Sequence, residues 1–338
     1  MGGMRSETGT PSAPARANAD AVVPLVTGAI LRPGADVRLD GYGHAWIAPA
    51  SLAPTKLAPL NDEARLAEGL RAFARTAGPR RAALLDAQPQ GCGRDAAALA
   101  RLSVQSGVAI AAVTGFHPSA FYPTGRRPWI TAEAALATFL REIDGGMREQ
   151  PLARPAAVAA ALGADAPDDD PCWYAALEAC RRSGALLLVR LEPGADLAGL
   201  LAYLSLRGFP GEQTYVCRLD TQPDDGLLDE LASTGALLGY SGSAFVDGAG
   251  GSGAVTALER RLDAGHARNV AIGLELAEPS AWAGDRAAHG DGAGPGALIA
   301  AVERRLRELG ASDHDVDALL GKNLLARAAR PETPGVGG

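Results

Sequence analysis

The sequence predicts an α/β protein of the (β/α)8 TIM-barrel class, organised as a single domain, on three observations. Short runs recur along the chain that are near-continuously apolar, the pattern of strands buried on both faces of a parallel sheet. Between them lie stretches with apolar residues at helical spacing, several closed by a glycine where a helix C-terminus is capped. The strand-like runs number eight, and that many repeated strand–helix units point to a sheet closed on itself. An open doubly wound sheet is the competing architecture, but no GxGxxG follows the first strand.

The runs are DVRLDGYGHAWI (36–47), AALLDA (82–87), VAIAAVTGF (108–116), AAVAAALG (156–163), ALLLVRL (185–191), TYVCRL (214–219), ALLGYSG (236–242) and NVAIGLEL (269–276). Helical spacing marks EARLAEGLRAFARTAG, RDAAALARLSVQSG, TAEAALATFLREIDGG, CWYAALEACRRSG and GALIAAVERRLRELG. Residues 1–20 and 331–338 are rich in small residues and proline without an apolar period, so both are expected to be disordered tails around a barrel spanning 21–330. Asp168, Asp169 and Asp170 form a small acidic loop. The Gly-rich stretch at 284–296 reads as a flexible loop overhanging the C-terminal face of the barrel.

A chain of 338 residues suits one such barrel with extensions, and 47% hydrophobic with 21% charged residues is ordinary for a globular protein. The net charge of −7 argues against nucleic-acid or anionic-membrane surfaces, which need clustered positive potential. No apolar run approaches the roughly 20 residues that span a bilayer, and the first 20 lack a secretory apolar core, so a cytoplasmic location is expected. A small molecule or a protein is the expected partner, and a homodimer stays open. Cys92, Cys172, Cys180 and Cys217 form no CxxC pair and are expected to be free, partly buried thiols. There is no GxSxG elbow, and Lys56 and Lys322, the only lysines, fall away from the strands, which disfavours a Schiff-base mechanism.

The stretch DAQPQGCGRDAAALARLSVQSGVAIAAVTGFHPSAFYP at 86–123 resembles the second and third strands of the phosphotriesterase family, in which an Asp-bearing strand leads through GRD and a helix to a strand ending in TGF or TGY. GYGHAWI at 41–47 sits where that family has its HxH strand, and LLGKNLLARAA at 319–329 resembles its closing helix. Together the resemblance covers about residues 25 to 330.

It implies two divalent metals at the barrel mouth, held by two His of strand 1, a carboxylated Lys or a Glu of strand 4, one His each from strands 5 and 6, and an Asp of strand 8. Such metals polarise a phosphoryl or carbonyl oxygen and supply hydroxide. This chain departs at nearly every position. Strand 1 keeps His44 but has Trp46 in place of the second His, and indole has no lone pair for a metal. Strand 4 offers alanines around Ala160, strands 5 and 6 place Arg190 and Arg218, and strand 8 places Glu275. Guanidinium stays protonated and cannot ligate a cation, so no metal and no other cofactor is expected.

The mouth is instead expected to gather His44, Trp46, His117, Arg190, Glu192, Arg218, Asp220 and Glu275. Two arginines offer bidentate recognition of a carboxylate, phosphate or sulfate, with Trp46, His117 and Asp220 as further substrate contacts. His44 and Glu275 are the candidate acid/base pair, being the titratable groups nearest that charge. The same arginines can equally pair with Glu192, Asp220 or Glu275 and merely fill a former metal cavity. Arg94 and Asp95 are read as a capping salt bridge at the next helix, and Asp86 as bonded to backbone or Arg94. Three functions follow: a metal-independent enzyme on an anionic small molecule, in a specialised biosynthetic pathway; an inactive relative that binds a ligand or scaffolds an active partner; or a metal-dependent ester or lactone hydrolase.

Overall fold

In the computed structural model, residues 20–48, 59–165, 167–222, 224–246, 251–263, 267–282 and 294–332 are described. An N-terminal hairpin, β1 (Ala21–Pro24) and β2 (Ile30–Leu31), precedes the barrel. The barrel strands are β3 (Val37–Gly43), β4 (Arg81–Asp86), β5 (Ala109–Gly115), β6 (Ala157–Leu162), β7 (Leu186–Leu191), β8 (Thr214–Cys217), β9 (Leu237–Ser241) and β10 (Val270–Gly273). Each lies parallel to its predecessor in sequence order, as the strand–helix alternation predicts.

The sheet closes between β10 and β3. The Leu274 amide donates to Asp40 Oδ1 at 2.8 Å and the Glu275 amide to the Tyr42 carbonyl at 2.9 Å. Gly273 makes this seam passable, because a Cβ there would lie 2.5 Å from the Tyr42 Cβ.

The helices between and after the strands are α1 (Glu63–Ala77), α2 (Ala96–Ser106), α3 (Ala132–Gly145), α4 (Pro171–Ser183), α5 (Leu197–Leu206), α6 (Asp225–Ser233), α7 (Gly242–Val246), α8 (Gly251–Asp263), α9 (Pro295–Glu308), α10 (Asp313–Asp317) and α11 (Asn323–Ala328). Asp62, Asp95, Thr131, Asp170, Asp196 and Asp224 start α1 to α6, each accepting a backbone N–H of the first turn with its side-chain oxygen. The cap sets where each helix begins, and so the length of the loop left over the barrel mouth.

Alternate residues of each strand feed two cores. Leu39, Leu85, Ala111, Ala159, Leu188, Tyr215 and Leu237 fill the barrel, which Leu324 and Leu325 of α11 and Val23 and Leu25 of the hairpin region close from below. The intervening residues, such as Leu84, Ile110, Val158, Val189 and Val216, pack under the helices.

Three sequence expectations need correction, and one left between two readings is resolved. Asp95 does cap α2, but Arg94 turns from it into a buried cluster, 2.6 Å from Glu142, 3.0 Å from Glu149 and 3.0 Å from the Val113 carbonyl. Asp86 bonds backbone, as one of its two readings had it, accepting from the Ala45 and Gln88 amides at 2.7 and 3.1 Å. The chain beyond Arg330 begins in a strand, β11 (Arg330–Pro331), with Pro331 opposite Ala21 in β1. The sixth and eighth strands stop at Cys217 and Gly273, short of Arg218 and Glu275, because both residues adopt left-handed backbone that a ladder cannot continue. Residues 1–19 and 333–338 of the expected tails, 284–293 of the expected Gly-rich loop, Lys56, His266 and His289 lie outside the described residues.

Candidate active site at the barrel mouth

The charged and titratable side chains of the candidate site gather at the C-terminal ends of the strands. On β7 the inward row of Leu186 and Leu188 continues to Arg190, so strand alternation alone aims its side chain into the barrel. Its Nε donates to Glu192 Oε1 at 2.5 Å and its Nη1 to the Tyr42 hydroxyl at 3.3 Å, with the guanidinium 5.3 Å above the Phe121 ring. Burial works against this charge, but the fields of the Tyr42 hydroxyl and Glu192 outweigh it and hold the Arg190 pKa above its ordinary value.

Arg218 follows β8 at φ 68° and Glu275 follows β10 at φ 58°. Arg218 Nη1 donates to the Leu191 carbonyl at 2.9 Å, and its Nε lies 2.6 Å from Glu275 Oε1. Glu192 Oε1 is 4.0 Å from Arg218 Nη1, so Arg190, Glu192, Arg218 and Glu275 form one alternating chain of charge. On the far side of Glu275 the Ser241 hydroxyl reaches Oε2 at 2.6 Å. Asp220 Oδ1 accepts the Ser241 amide at 2.9 Å, which places Asp220 behind the chain as an anchor of Ser241.

His44 and His117 stand on the β3 and β5 side. Their ring centroids are 6.4 Å apart, and the His44 ring stands edge-on to Tyr42 at 5.5 Å. Burial, reinforced by Arg190 and Arg218, presses the His44 pKa down to about 3. Burial, then Arg190 and His44, also keeps His117 well below its ordinary value. Neither ring nitrogen of His117 has a hydrogen-bond partner, and His44 Nδ1 and the Trp46 indole N–H are likewise buried and unpartnered. Trp46 packs against the core beneath the helices. A cleft of about 590 Å³, walled by Pro118, Arg127, Ala161, Asp170, Trp173 and Glu192, meets the site at Glu192.

Of the residues predicted from sequence, the structure brings Arg190, Arg218, Glu275, Asp220 and Glu192 into one network, with His44 and His117 facing Arg190. Sequence reasoning does not single out Tyr42 or Ser241. Each carries a positional signal: Tyr42 lies two residues before His44, and Ser241 falls at the end of the seventh apolar run. Among the described residues, no three His, Cys, Asp or Glu side chains are grouped as a metal-ligand set.

The model of the phosphotriesterase family matches residues 60–324. No curated protein sequence is detectably similar to the chain. Among solved structures, the fold is similar to an Escherichia coli phosphotriesterase homology protein complexed with phosphate in its active site, with 18% identity, a TM-score of 0.70, and 87% of this chain and 98% of that one covered. It is similar to a lactonase from Listeria monocytogenes, with 16% identity, a TM-score of 0.72, and 92% and 99% covered. It is also similar to an amidohydrolase from Mycoplasma synoviae, with 17% identity, a TM-score of 0.74, and 93% of each chain covered. With the family model matched along most of its length and the barrel built in the expected order, the chain belongs to the phosphotriesterase family.

Proposed function

We propose that this protein is a metal-independent member of its family that binds a small anionic molecule, a carboxylate or a phosphate, at the barrel mouth and acts on it with its own side chains. The donor set does not fit a binuclear metal centre: two of the four strand positions that the resemblance assigns to histidine hold guanidinium groups, another holds Trp46, and β6 presents only Ala159, Ala160 and Ala161 before Leu162. Arg190 and Arg218 supply fixed positive charge in its stead.

The roles follow from position. Arg190 and Arg218 orient the anion. Glu275, held between Arg218 and the Ser241 hydroxyl, accepts or returns a proton. His44, uncharged at neutral pH and bonded to the Gln88 side chain, offers the reacting group its unpartnered Nδ1. The observation that carries this reading is the left-handed backbone at both Arg218 and Glu275, since such strain costs on the order of 1–3 kcal/mol per residue and concentrates at functional sites.

A second reading, a catalytically inactive protein that binds a ligand, is favoured by the carboxylates already paired with both arginines. The experiment that separates the two assays chelator-treated protein against carboxylate esters, lactones and phosphate esters, alongside Glu275→Gln. Turnover that Glu275→Gln abolishes while ligand binding persists supports the enzyme. Binding with no turnover of any substrate supports the inactive protein, and turnover that returns only on adding divalent metal refutes metal independence.

A further inference from the structure

The two halves of the mouth differ in kind. From β7 to β10 it is ionic, while from β3 to β5 it is lined by uncharged nitrogens: His44 and His117 are 2% and 1% exposed, and His44 Nδ1 and both His117 ring nitrogens lack partners. Buried polar groups are nearly always hydrogen-bonded, so a cluster of such orphans in one place marks where another molecule's polar atoms belong. A neutral imidazole presents one N–H donor and one bare acceptor. Burial and the neighbouring guanidinium groups keep both rings in that state.

Arg190 joins the halves. It rests 5.3 Å over Phe121, whose ring is 5.8 Å from that of His117, and it bonds Tyr42, whose ring is 5.5 Å from that of His44. A ligand whose anionic group meets Arg190 therefore brings its adjoining atoms to the two imidazoles. An apolar group there would leave the nitrogens unpaired, and a cationic amine would meet the field of Arg190. A group that both donates and accepts satisfies a donor and an acceptor at once.

We infer that the ligand carries, next to its anionic group, an uncharged donor–acceptor group of the amide, urea or imide type, held by His44 and His117. This inference rests on the proposal that Arg190 and Arg218 hold the anion, and it adds the chemistry of the second group.

The test is calorimetric binding of three carboxylates of equal skeletal length: N-acetylglycine, 4-oxopentanoate, which has the carbonyl but no N–H, and pentanoate, which has neither. N-acetylglycine is expected to bind about tenfold or more tightly than either of the others, the scale of one or two buried hydrogen bonds. His117→Phe, with His117→Gln as a second variant should the first not fold, is expected to erase most of that preference. Arg190→Met is expected to weaken all three. Equal affinities in the unmodified protein, or an N-acetylglycine preference unaltered in the folded His117 variants, overturn the inference while an Arg190→Met loss leaves the anion site standing. Absence of binding by all three, or binding indifferent to Arg190→Met, overturns the anion site and this inference together.

Discussion

Arg218 Nε lies 2.6 Å from Glu275 Oε1, and these two are the only non-glycine residues among those described with a left-handed backbone, at φ 68° and 58°. They follow β8 and β10, on either side of β9, so strain at one and strain at the other are joined through their charges. A double-mutant cycle measures that joining. Arg218→Asn alone leaves Glu275 without its cation, and Glu275→Asn alone strands the guanidinium, whereas Asn tolerates the left-handed backbone at either position. The double variant is expected to be more stable than the sum of the singles by about 1–3 kcal/mol in urea unfolding. Strict additivity would show that the pair is not an energetic unit.

Arg94 carries a different ion cluster, made for the fold. With Glu142 1% exposed and Glu149 beside it, removing the guanidinium leaves a buried carboxylate uncompensated. Arg94→Met is expected to cost about 3–5 kcal/mol at neutral pH, read from denaturant midpoints. A loss below about 1 kcal/mol, the range of exposed pairs, would contradict the burial that the structure gives this cluster.

His44 makes stability depend on acid. Its pKa is about 3 folded against an ordinary 6.5, so between those values the unfolded chain binds a proton that the folded chain refuses. Its contribution is full above pH 6.5 and is lost as pH falls toward 3. Asp40 and Asp86, raised by burial to about 6 and about 7, act in the opposite sense, their contributions fading as pH rises through those values. Subtracting the unfolding free energy of His44→Gln from that of the unmodified protein cancels the two carboxyls. The difference is expected to fall below pH 6.5 by up to about 1.4 kcal/mol per pH unit and to level off above it. A difference that is flat from pH 4 to 7 would mean that the imidazole is not held in its uncharged form.

What the sequence makes legible follows its periodicities. Strand alternation carries Leu186 and Leu188 to Arg190, so an inward arginine is readable from the residue pattern alone. The order of eight strands, and Asp or Thr before each of the first six helices, are equally local signals. The rim is less legible where apolar runs overshoot. TYVCRL and NVAIGLEL remain strand-like through Leu219 and Leu276, and nothing in either run announces that Arg218 or Glu275 turns left-handed without a glycine. β11 is hidden for the opposite reason, being two residues, one a proline, whose strand character comes only from pairing with β1. The partners of Arg94 are hidden because Glu142 and Glu149 become its neighbours only through the fold, while Asp95 is adjacent in sequence.

The proposed anion site is made by guanidinium groups without a metal. Calorimetric titration of exhaustively chelated protein with acetate and inorganic phosphate tests it most directly. One site per chain is expected for at least one of these anions, lost in both Arg190→Met and Arg218→Met. Binding that appears only after divalent metal is restored, or that persists in both arginine variants, would contradict it.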